Sequence, residues 1–381
     1  MQNEAYIESL LFPPFKRGNK LRIIIAGGGT GGHIFPAIAI ARALQKQHPN
    51  IEILFVGAKG KMEMEKVPEA GFKIIGLYIA GYNRNSIIKN ITLPFKLAKS
   101  FYQVRKILKE FAPDAIIGVG GYSSFPMLRL AQTKNIPTFI HESNSYAGKS
   151  NKLLAGKAKR IFVASYGMEK FFPKEKILLT GNPVRTSISE NVNRSEALSK
   201  FGLKPAFKTV LVIGGSLGAQ SINQVIDKNI LFFREKNLQL IWQTGSGYST
   251  RAAAIEEESV NMWTGAFIND MSSAYAASDI IISRSGAMAV AELCIVSKPV
   301  IFIPYPHAAE DHQTANANAL VLNHAALLVK DSEVDSLLIK TLEQLLKDDS
   351  LAASLSEKIS RFAHHGADEL IASEVLKSIH A

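Results

Sequence analysis

From residue 21 to the C-terminus, apolar runs of strand length alternate with amphipathic stretches of helix length, and the alternation restarts halfway along the chain. Near-continuous apolar strands separated by helices belong to parallel sheets covered on both faces, because a crossover helix is what returns the chain to run parallel. The first series of runs is 21–26, 51–56, 115–119, 137–140, 160–163 and 177–179; the second is 209–213, 238–242, 279–283, 299–303 and 326–329. The expected fold class is therefore α/β, with two Rossmann-like doubly wound parallel-sheet domains. Residues 186–207 are polar, contain lysine and are interrupted by Gly202 and Pro205, so they read as a linker between domains at 20–185 and 208–381. Residues 1–19, with Leu10-Leu11-Phe12-Pro13-Pro14-Phe15, fit neither series and read as an N-terminal extension.

Composition narrows the class further. With 47% hydrophobic and 20% charged residues the chain suits folded domains with sizeable cores, not disorder. The single cysteine, Cys294, allows no internal disulfide and fits a reducing, cytoplasmic setting. No window approaches the ~20 apolar residues of a membrane span, and no basic segment followed by an apolar core opens the chain. The net charge of +11 points to nucleic acid, nucleotides or an acidic lipid surface, or simply to a basic exterior. Nucleic acid is set aside: no recognised motif occurs, and aromatics do not interleave with basic runs as a stacking surface requires.

Each half opens alike. Arg22 to Ala26 runs into Gly27-Gly28-Gly29-Thr30-Gly31-Gly32-His33, and Val210 to Ile213 runs into Gly214-Gly215-Ser216-Leu217-Gly218-Ala219. A glycine turn between strand and helix brings backbone N–H groups close to a phosphate, and the helix dipole favours its charge. Gly27, Gly29 and Gly32 also satisfy G-x-G-x-x-G, the dinucleotide fingerprint, which further requires an acid at the end of the second strand. Glu52 has the spacing but stands at that strand's beginning, so the nicotinamide or flavin reading is disfavoured. The Walker spacing is absent. A third turn, Gly118 to Pro126, adds Gly120, Gly121 and Tyr122 to the first half.

Polar groups at strand ends are where open α/β sheets place ligands. His141-Glu142-Ser143-Asn144 and Gly181-Asn182-Pro183-Val184-Arg185 stand there in the first half, and Ser283 to Glu292 in the second. Glu292 lies in an apolar helix and needs a partner, either sugar hydroxyls or a neighbouring lysine. Glu310 and Asp311 could cap the helix that follows while Gln313 faces outward. The expected active site is the cleft where both sheets present these ends.

The stretches GGGTGGH (27–33), GGYSSFP (120–126), HESN with AGKSNKLL (141–154), GNPVR (181–185), GGSLGA (214–219), RSGAMAVAE (284–292) and HQTANA (312–317), in this order, resemble the MurG family of glycosyltransferases. That family adds N-acetylglucosamine from UDP-N-acetylglucosamine to undecaprenyl-diphosphoryl-N-acetylmuramoyl-pentapeptide, turning lipid I into lipid II for peptidoglycan. The resemblance covers nearly everything from Leu21 onward. It implies a GT-B fold, with the acceptor and the membrane met by the first domain, the donor held by the second, and C-terminal helices packing back on the first. It places Ser216 at the donor diphosphate, the Ile268 backbone at the uracil, Glu292 at the ribose, Gln313 at the sugar, and Ala287 and Met288 as backbone donors to phosphate. Thr30, Gly31, Gly32, Asn144 and Arg185 reach the donor from across the cleft, and Gly120, Gly121 and Tyr122 lie on the acceptor side. Ala289 stands where many relatives carry threonine, and Ser143 where glutamine is common.

The expected chemistry is one inverting displacement at the anomeric carbon, with no cofactor and no metal, since no Asp-x-Asp motif lies between the domains. His33 is the candidate base, by virtue of its intrinsic pKa, and Glu142 the alternative. Helix N-termini and Arg185 stabilise the leaving diphosphate. The segment 82–109 mixes Ile87, Ile88, Ile91, Leu93, Phe95, Leu97, Phe101 and Tyr102 with Arg84, Lys89, Lys96, Lys99, Arg105, Lys106 and Lys109. It reads as a docking surface for anionic lipid, placing the protein peripherally on the cytoplasmic face of the inner membrane, or as a core-facing helix with a basic outer face. A noncatalytic nucleotide-binding protein, indifferent to Glu292 and Gln313, is the competing class.

Overall fold

The computed structural model describes residues 20–81, 93–185, 188, 192–215, 218–259 and 261–380. The N-terminal extension, Ser216, and the start of the proposed docking segment (82–92) lie outside the described residues. The chain forms two compact units. The first holds the chain through Ser143, then Ala147–Pro183 and the C-terminal stretch from Gly366; the second holds Asn144–Tyr146 and Val184–His365.

The first unit is built on seven strands, β1 (Arg22–Ala26), β2 (Glu52–Ala58), β3 (Lys73–Leu77), β4 (Ala115–Gly118), β5 (Thr138–Glu142), β6 (Arg160–Val163) and β7 (Ile177–Leu179), ordered β3-β2-β1-β4-β5-β6-β7. Every pairing is parallel. The pleat sends alternate side chains of β1 to opposite cores. Ile23 and Ile25 pack with Ile34, Ala37, Ile40 and Leu44 of the helix Gly31–Gln47 and with Ile371, Ala372 and Val375 of the C-terminal helix Ala367–His380. Ile24 and Ala26 pack with Val104, Ile107, Met127 and Leu128 on the other face. Burial on both faces explains why β1 reads as an unbroken apolar run.

The second unit has β8 (Thr209–Ile213), β9 (Gln239–Gln243), β10 (Met262–Gly265), β11 (Ile280–Ser283), β12 (Val300–Phe302) and β13 (Leu327–Leu328), all parallel, in the order β10-β9-β8-β11-β12-β13. Strand order reverses between β1 and β4 in the first unit and between β8 and β11 in the second. Loops diverge at such switch points, opening a crevice at the carboxyl ends of the strands. The glycine turns after β1 and β4, and after β8, stand at these two positions.

Three sequence expectations change. Strands β3 and β10 were not foreseen; both are edge strands, and their Lys73-Ile74-Ile75-Gly76-Leu77 and Met262-Trp263-Thr264-Gly265 are mostly half-buried, without the apolar continuity of an inner strand. Residues 186–207 are not a linker throughout, because Arg194–Lys200 is a helix whose Ala197 and Leu198 join Phe201 and Leu203 in the second unit's core. Asn193 caps that helix through Ser195 and Glu196 N–H groups. Gly202, which looked like a breaker, has φ +67 and closes the helix, with Leu203 N–H bonded back to the Leu198 carbonyl. Finally, Val184 and Arg185 belong with the second unit.

Candidate active site

In the first unit, Gly27, Gly28 and Gly29 follow β1 with φ of +149, +144 and +91. The loop leans on the turn after β4: Gly28 N–H meets the Gly120 carbonyl at 3.3 Å, and a Cβ on Gly121 would stand 2.5 Å from the Gly28 oxygen. Gly121 must therefore be glycine on grounds of space as well as its φ of +82. Thr30 is exposed and extended and precedes the helix Gly31–Gln47 without capping it by its side chain. Gly31 and Gly32 form the first turn of that helix, which carries no acid.

His33 follows them, half-buried. Its Nδ1 lies 3.2 Å from the Gly28 carbonyl and 3.3 Å from Thr30 Oγ1. A carbonyl only accepts, so the neutral ring carries its proton on Nδ1 and keeps Nε2 as the basic nitrogen. A Cβ on Gly120 would sit 2.7 Å from Nε2, so glycine there preserves the space beside that nitrogen. Tyr122 is half-buried, and burial, with the nearby Glu63 carboxylate, raises its phenol above the ordinary range.

The alternative base is engaged otherwise. Glu142 is buried, and its Oε2 accepts from Gly148 N–H at 3.0 Å and from Asn151 Nδ2 at 2.8 Å. That pairing fixes the start of the helix Lys149–Ala155. His141 is fully buried, and desolvation pushes its imidazole down to about 4, so it is neutral near pH 7. Asn182 donates to the Ser143 carbonyl at 2.9 Å, tying the turn after β7 to the end of β5. Glu52 pairs with Arg22 at 3.1 Å at the amino end of β2, remote in sheet register from the glycine turn, which removes it as a ribose ligand.

In the second unit the turn after β8 is shaped by space: a Cβ on Gly214 would lie 2.5 Å from Ala219 N, and one on Gly218, at φ +78, 2.1 Å from the Thr244 oxygen. Gln243, at the end of β9, ties this turn to the next loop. Its Nε2 donates to the Gly215 carbonyl and its Oε1 accepts from Ile268 N–H. The Ile268 amide is thus committed within the protein, so the backbone group it can offer a base is its carbonyl. Gln243 was missed in the sequence; the available signal was a glutamine closing a strand whose interior, Leu240-Ile241-Trp242, is apolar.

The helix Ala287–Val296 begins after Gly286, with no side-chain cap and no acid in its first turn, and so offers the N–H end of its dipole at Ala287 and Met288. Glu292 is buried further along it. Tyr275 Oη donates to its Oε2 at 2.9 Å, and Arg185 Nη2 lies 3.7 Å from its Oε1. Desolvation raises the Glu292 pKa; Arg185 and the Tyr275 hydrogen bond oppose it.

Glu310 and Asp311 hold left-handed φ of 56 and 52, a strained pair of the kind found where a loop is held for a purpose. Asp311 does not act as the expected side-chain cap of the helix His312–Val321; it accepts from Thr314 Oγ1 at 2.6 Å instead. Gln313 Oε1 accepts from Tyr305 N–H at 2.9 Å, which orients its amide. Asn316, also unforeseen, is buried and binds Ser145 N–H, Asn144 Oδ1 and the Ser285 carbonyl. It fixes Asn144 against the turn after β11.

Residues 23–163 match the glycosyltransferase family 28 N-terminal domain and residues 209–371 the glycosyltransferase family 28 C-terminal domain. Two Rossmann-like units with glycine turns at their switch points, carrying these two domains in this order, define a GT-B glycosyltransferase. Among curated proteins the chain is 50% identical over 363 residues to a UDP-N-acetylglucosamine–N-acetylmuramyl-(pentapeptide) pyrophosphoryl-undecaprenol N-acetylglucosamine transferase of Bacteroides thetaiotaomicron, covering 94% of this chain and 98% of that one. It is 50% identical over 361 residues to the protein of that name from Phocaeicola vulgatus, covering 94% and 96%. The crystal structure of Acinetobacter baumannii MurG superposes with a TM-score of 0.76 at 27% identity, over 94% of this chain and 99% of that one. The chain belongs to the MurG family of glycosyltransferases.

Proposed function

We propose that the chain transfers N-acetylglucosamine from UDP-N-acetylglucosamine to the 4-hydroxyl of the muramoyl sugar of lipid I, giving lipid II for peptidoglycan. The observation that carries this reading is half-identity, over nearly the full length of both chains, to enzymes named for that transfer. The site is consistent with it. The turn from Gly214 to Gly218, with Ser216, and the helix start at Ala287 and Met288 suit the donor diphosphate; Glu292 suits the ribose; the Ile268 carbonyl suits the uracil; and Gln313 suits the sugar.

In the reaction the acceptor oxygen bonds to the anomeric carbon as the bond from that carbon to the diphosphate breaks. The electron pair leaves with UDP and the acceptor's proton passes to His33 Nε2. The Nδ1–H bond to the Gly28 carbonyl supports the imidazolium that results. Helix N-termini and Arg185 stabilise the departing diphosphate without a metal. Among the described residues no helix is long and apolar enough to cross a membrane. In this reading the lipid acceptor is met peripherally, at the cytoplasmic face of the membrane.

The test is glycosylated lipid formed from radiolabelled UDP-N-acetylglucosamine and a lipid I analogue, run with and without exhaustive chelation. Product is expected in both. UDP release without glycosylated lipid overturns the acceptor, and loss on chelation with rescue by magnesium overturns the metal-free mechanism.

A further inference from the structure

Glu63 belongs to no motif in the sequence, yet it is 1% exposed and lies directly beneath the first glycine turn. Its Oε2 accepts from Gly29 N–H at 2.9 Å and its Oε1 from Ala58 N–H at 2.9 Å, so one carboxylate bridges the turn after β1 to the end of β2. The space it occupies is made by two missing side chains. A Cβ on Gly28 would lie 2.4 Å from the carboxyl carbon of Glu63, and one on Gly57 would lie 2.5 Å from its Cγ. Among the described residues no cation pairs with it; its charge is held by backbone N–H groups. A charge buried on such terms is costly; replacing it by a neutral group of equal size removes that cost but leaves one of the two N–H groups without an acceptor.

We propose that Glu63 is a positioning residue for the transfer reaction, acting through the glycine turn on His33. The linkage has three steps: Glu63 holds the Gly29 amide, which sets the plane of the peptide joining Gly28 and Gly29. That plane aims the Gly28 carbonyl, and the Gly28 carbonyl takes the Nδ1 proton of His33. The tautomer that leaves Nε2 basic is thus fixed from beneath the turn. The same contact has a second consequence. Gly29 N–H is spent on a carboxylate, and a fixed negative charge stands behind the turn, so this amide does not serve as a phosphate donor. At Gly29 the first glycine turn differs from a phosphate cradle, and on this reading the contact serves to present the base.

This rests on the reading of His33 as base, so the experiment separates the two. The full-length chain, its Glu63→Gln variant and its Glu63→Asp variant are examined by histidine side-chain nitrogen NMR, with the His33 signals assigned by their loss in His33→Ala. The wild type is expected to show the Nδ1–H tautomer. In Glu63→Gln, the amide that replaces one carboxylate oxygen cannot accept from both N–H groups; the turn relaxes and the imidazolium loses support. The His33 titration midpoint then falls by about half a unit or more. Glu63→Asp keeps the charge but is one methylene too short to bridge both amides, and is expected to shift the midpoint in the same direction; it serves if the glutamine variant fails to fold. Kinetically, kcat is expected to fall about 10- to 100-fold, the effect of a misplaced group, while the KM for UDP-N-acetylglucosamine changes little. The acid limb of the kcat/KM profile should move to lower pH. An unchanged His33 tautomer and midpoint in a folded variant overturn the positioning role. A shifted midpoint in Glu63→Gln, with normal kcat in that variant and in His33→Ala, instead overturns His33 as base and leaves the linkage standing.

Discussion

At the scale of single residues, Glu292 is the most informative site because its surroundings pull in opposite directions. Burial raises its pKa, whereas Arg185 and the Tyr275 hydroxyl favour the ionised form. The net direction is upward, so on acidification it protonates earlier than an exposed glutamate, whose pKa is about 4.3. Tyr275 stays a donor throughout, since burial and the adjacent carboxylate push its own pKa well above the ordinary range. If the ionised carboxylate accepts from the ribose hydroxyls, the KM for the donor is flat near neutrality. It should rise as the pH falls toward the raised carboxyl pKa, before an exposed carboxylate would titrate. Glu292→Ala removes charge-assisted hydrogen bonds of about 1.5–3 kcal/mol and should raise that KM roughly 10- to 100-fold. A normal donor KM in the folded alanine variant, measured at neutral pH, counts against the ribose assignment.

Among the elements, the turn after β8, proposed to hold the donor diphosphate, depends on glycine for two separable reasons. Gly215 and Gly218 both have positive φ, 87 and 78, but among the described residues a Cβ on Gly215 meets nothing within 4 Å, whereas one on Gly218 meets the Thr244 carbonyl at 2.1 Å. That carbonyl is pinned by Asn223 Nδ2 at 2.8 Å and cannot easily withdraw. Gly215→Ala should therefore cost only the left-handed backbone, about 1–2 kcal/mol, and Gly218→Ala clearly more, with loss of UDP binding. Thermal unfolding and calorimetric titration with UDP check both, and equal effects would show that the turn has room that its geometry denies. The same contrast explains what the sequence could reveal. Inner strands such as β1 and β8 are buried on both faces and announce themselves as apolar runs, and strand-to-helix glycines mark the turns between them. Of the edge strands, β7 and β13 are still legible as short apolar runs, whereas β3 and β10, broken by Gly76 and by Thr264 and Gly265, are not; Gly202 gives the same letter whether it breaks a helix or caps one. Glu63 and Asn316 matter through groups distant in sequence, Gly29 for the first and Asn144, Ser145 and Ser285 for the second, so little in their local sequence betrays them; the glutamate sits beside Met62 and Met64.

For the molecule as a whole, the net charge of +11 becomes meaningful where it meets exposed apolar surface. In the first unit the helix Leu93–Phe111 turns Ser100, Val104, Ile107, Leu108 and Phe111 inward, which accounts for its core-facing periodicity. Its outer face leaves Phe95 77% and Tyr102 74% exposed, a large cost in water for two aromatic rings unless something covers them. Lys96, Arg105 and Lys109 are exposed on the same helix. The two readings of this segment thus divide by residue: one face packs the core, the other combines aromatics with cations in the manner of an interfacial helix. Each basic residue near an anionic surface contributes about 1 kcal/mol, and that part is screened by salt, whereas the aromatic part is not. Sedimentation with vesicles should therefore show binding that requires anionic lipid and weakens with ionic strength. Replacing Lys96, Arg105 and Lys109 together by glutamate should abolish the salt-sensitive part. Phe95→Ala with Tyr102→Ala should weaken binding by a similar factor at low and high salt. Equal sedimentation with neutral and anionic vesicles would remove the electrostatic contribution, and full binding by the double alanine variant would remove the aromatic one.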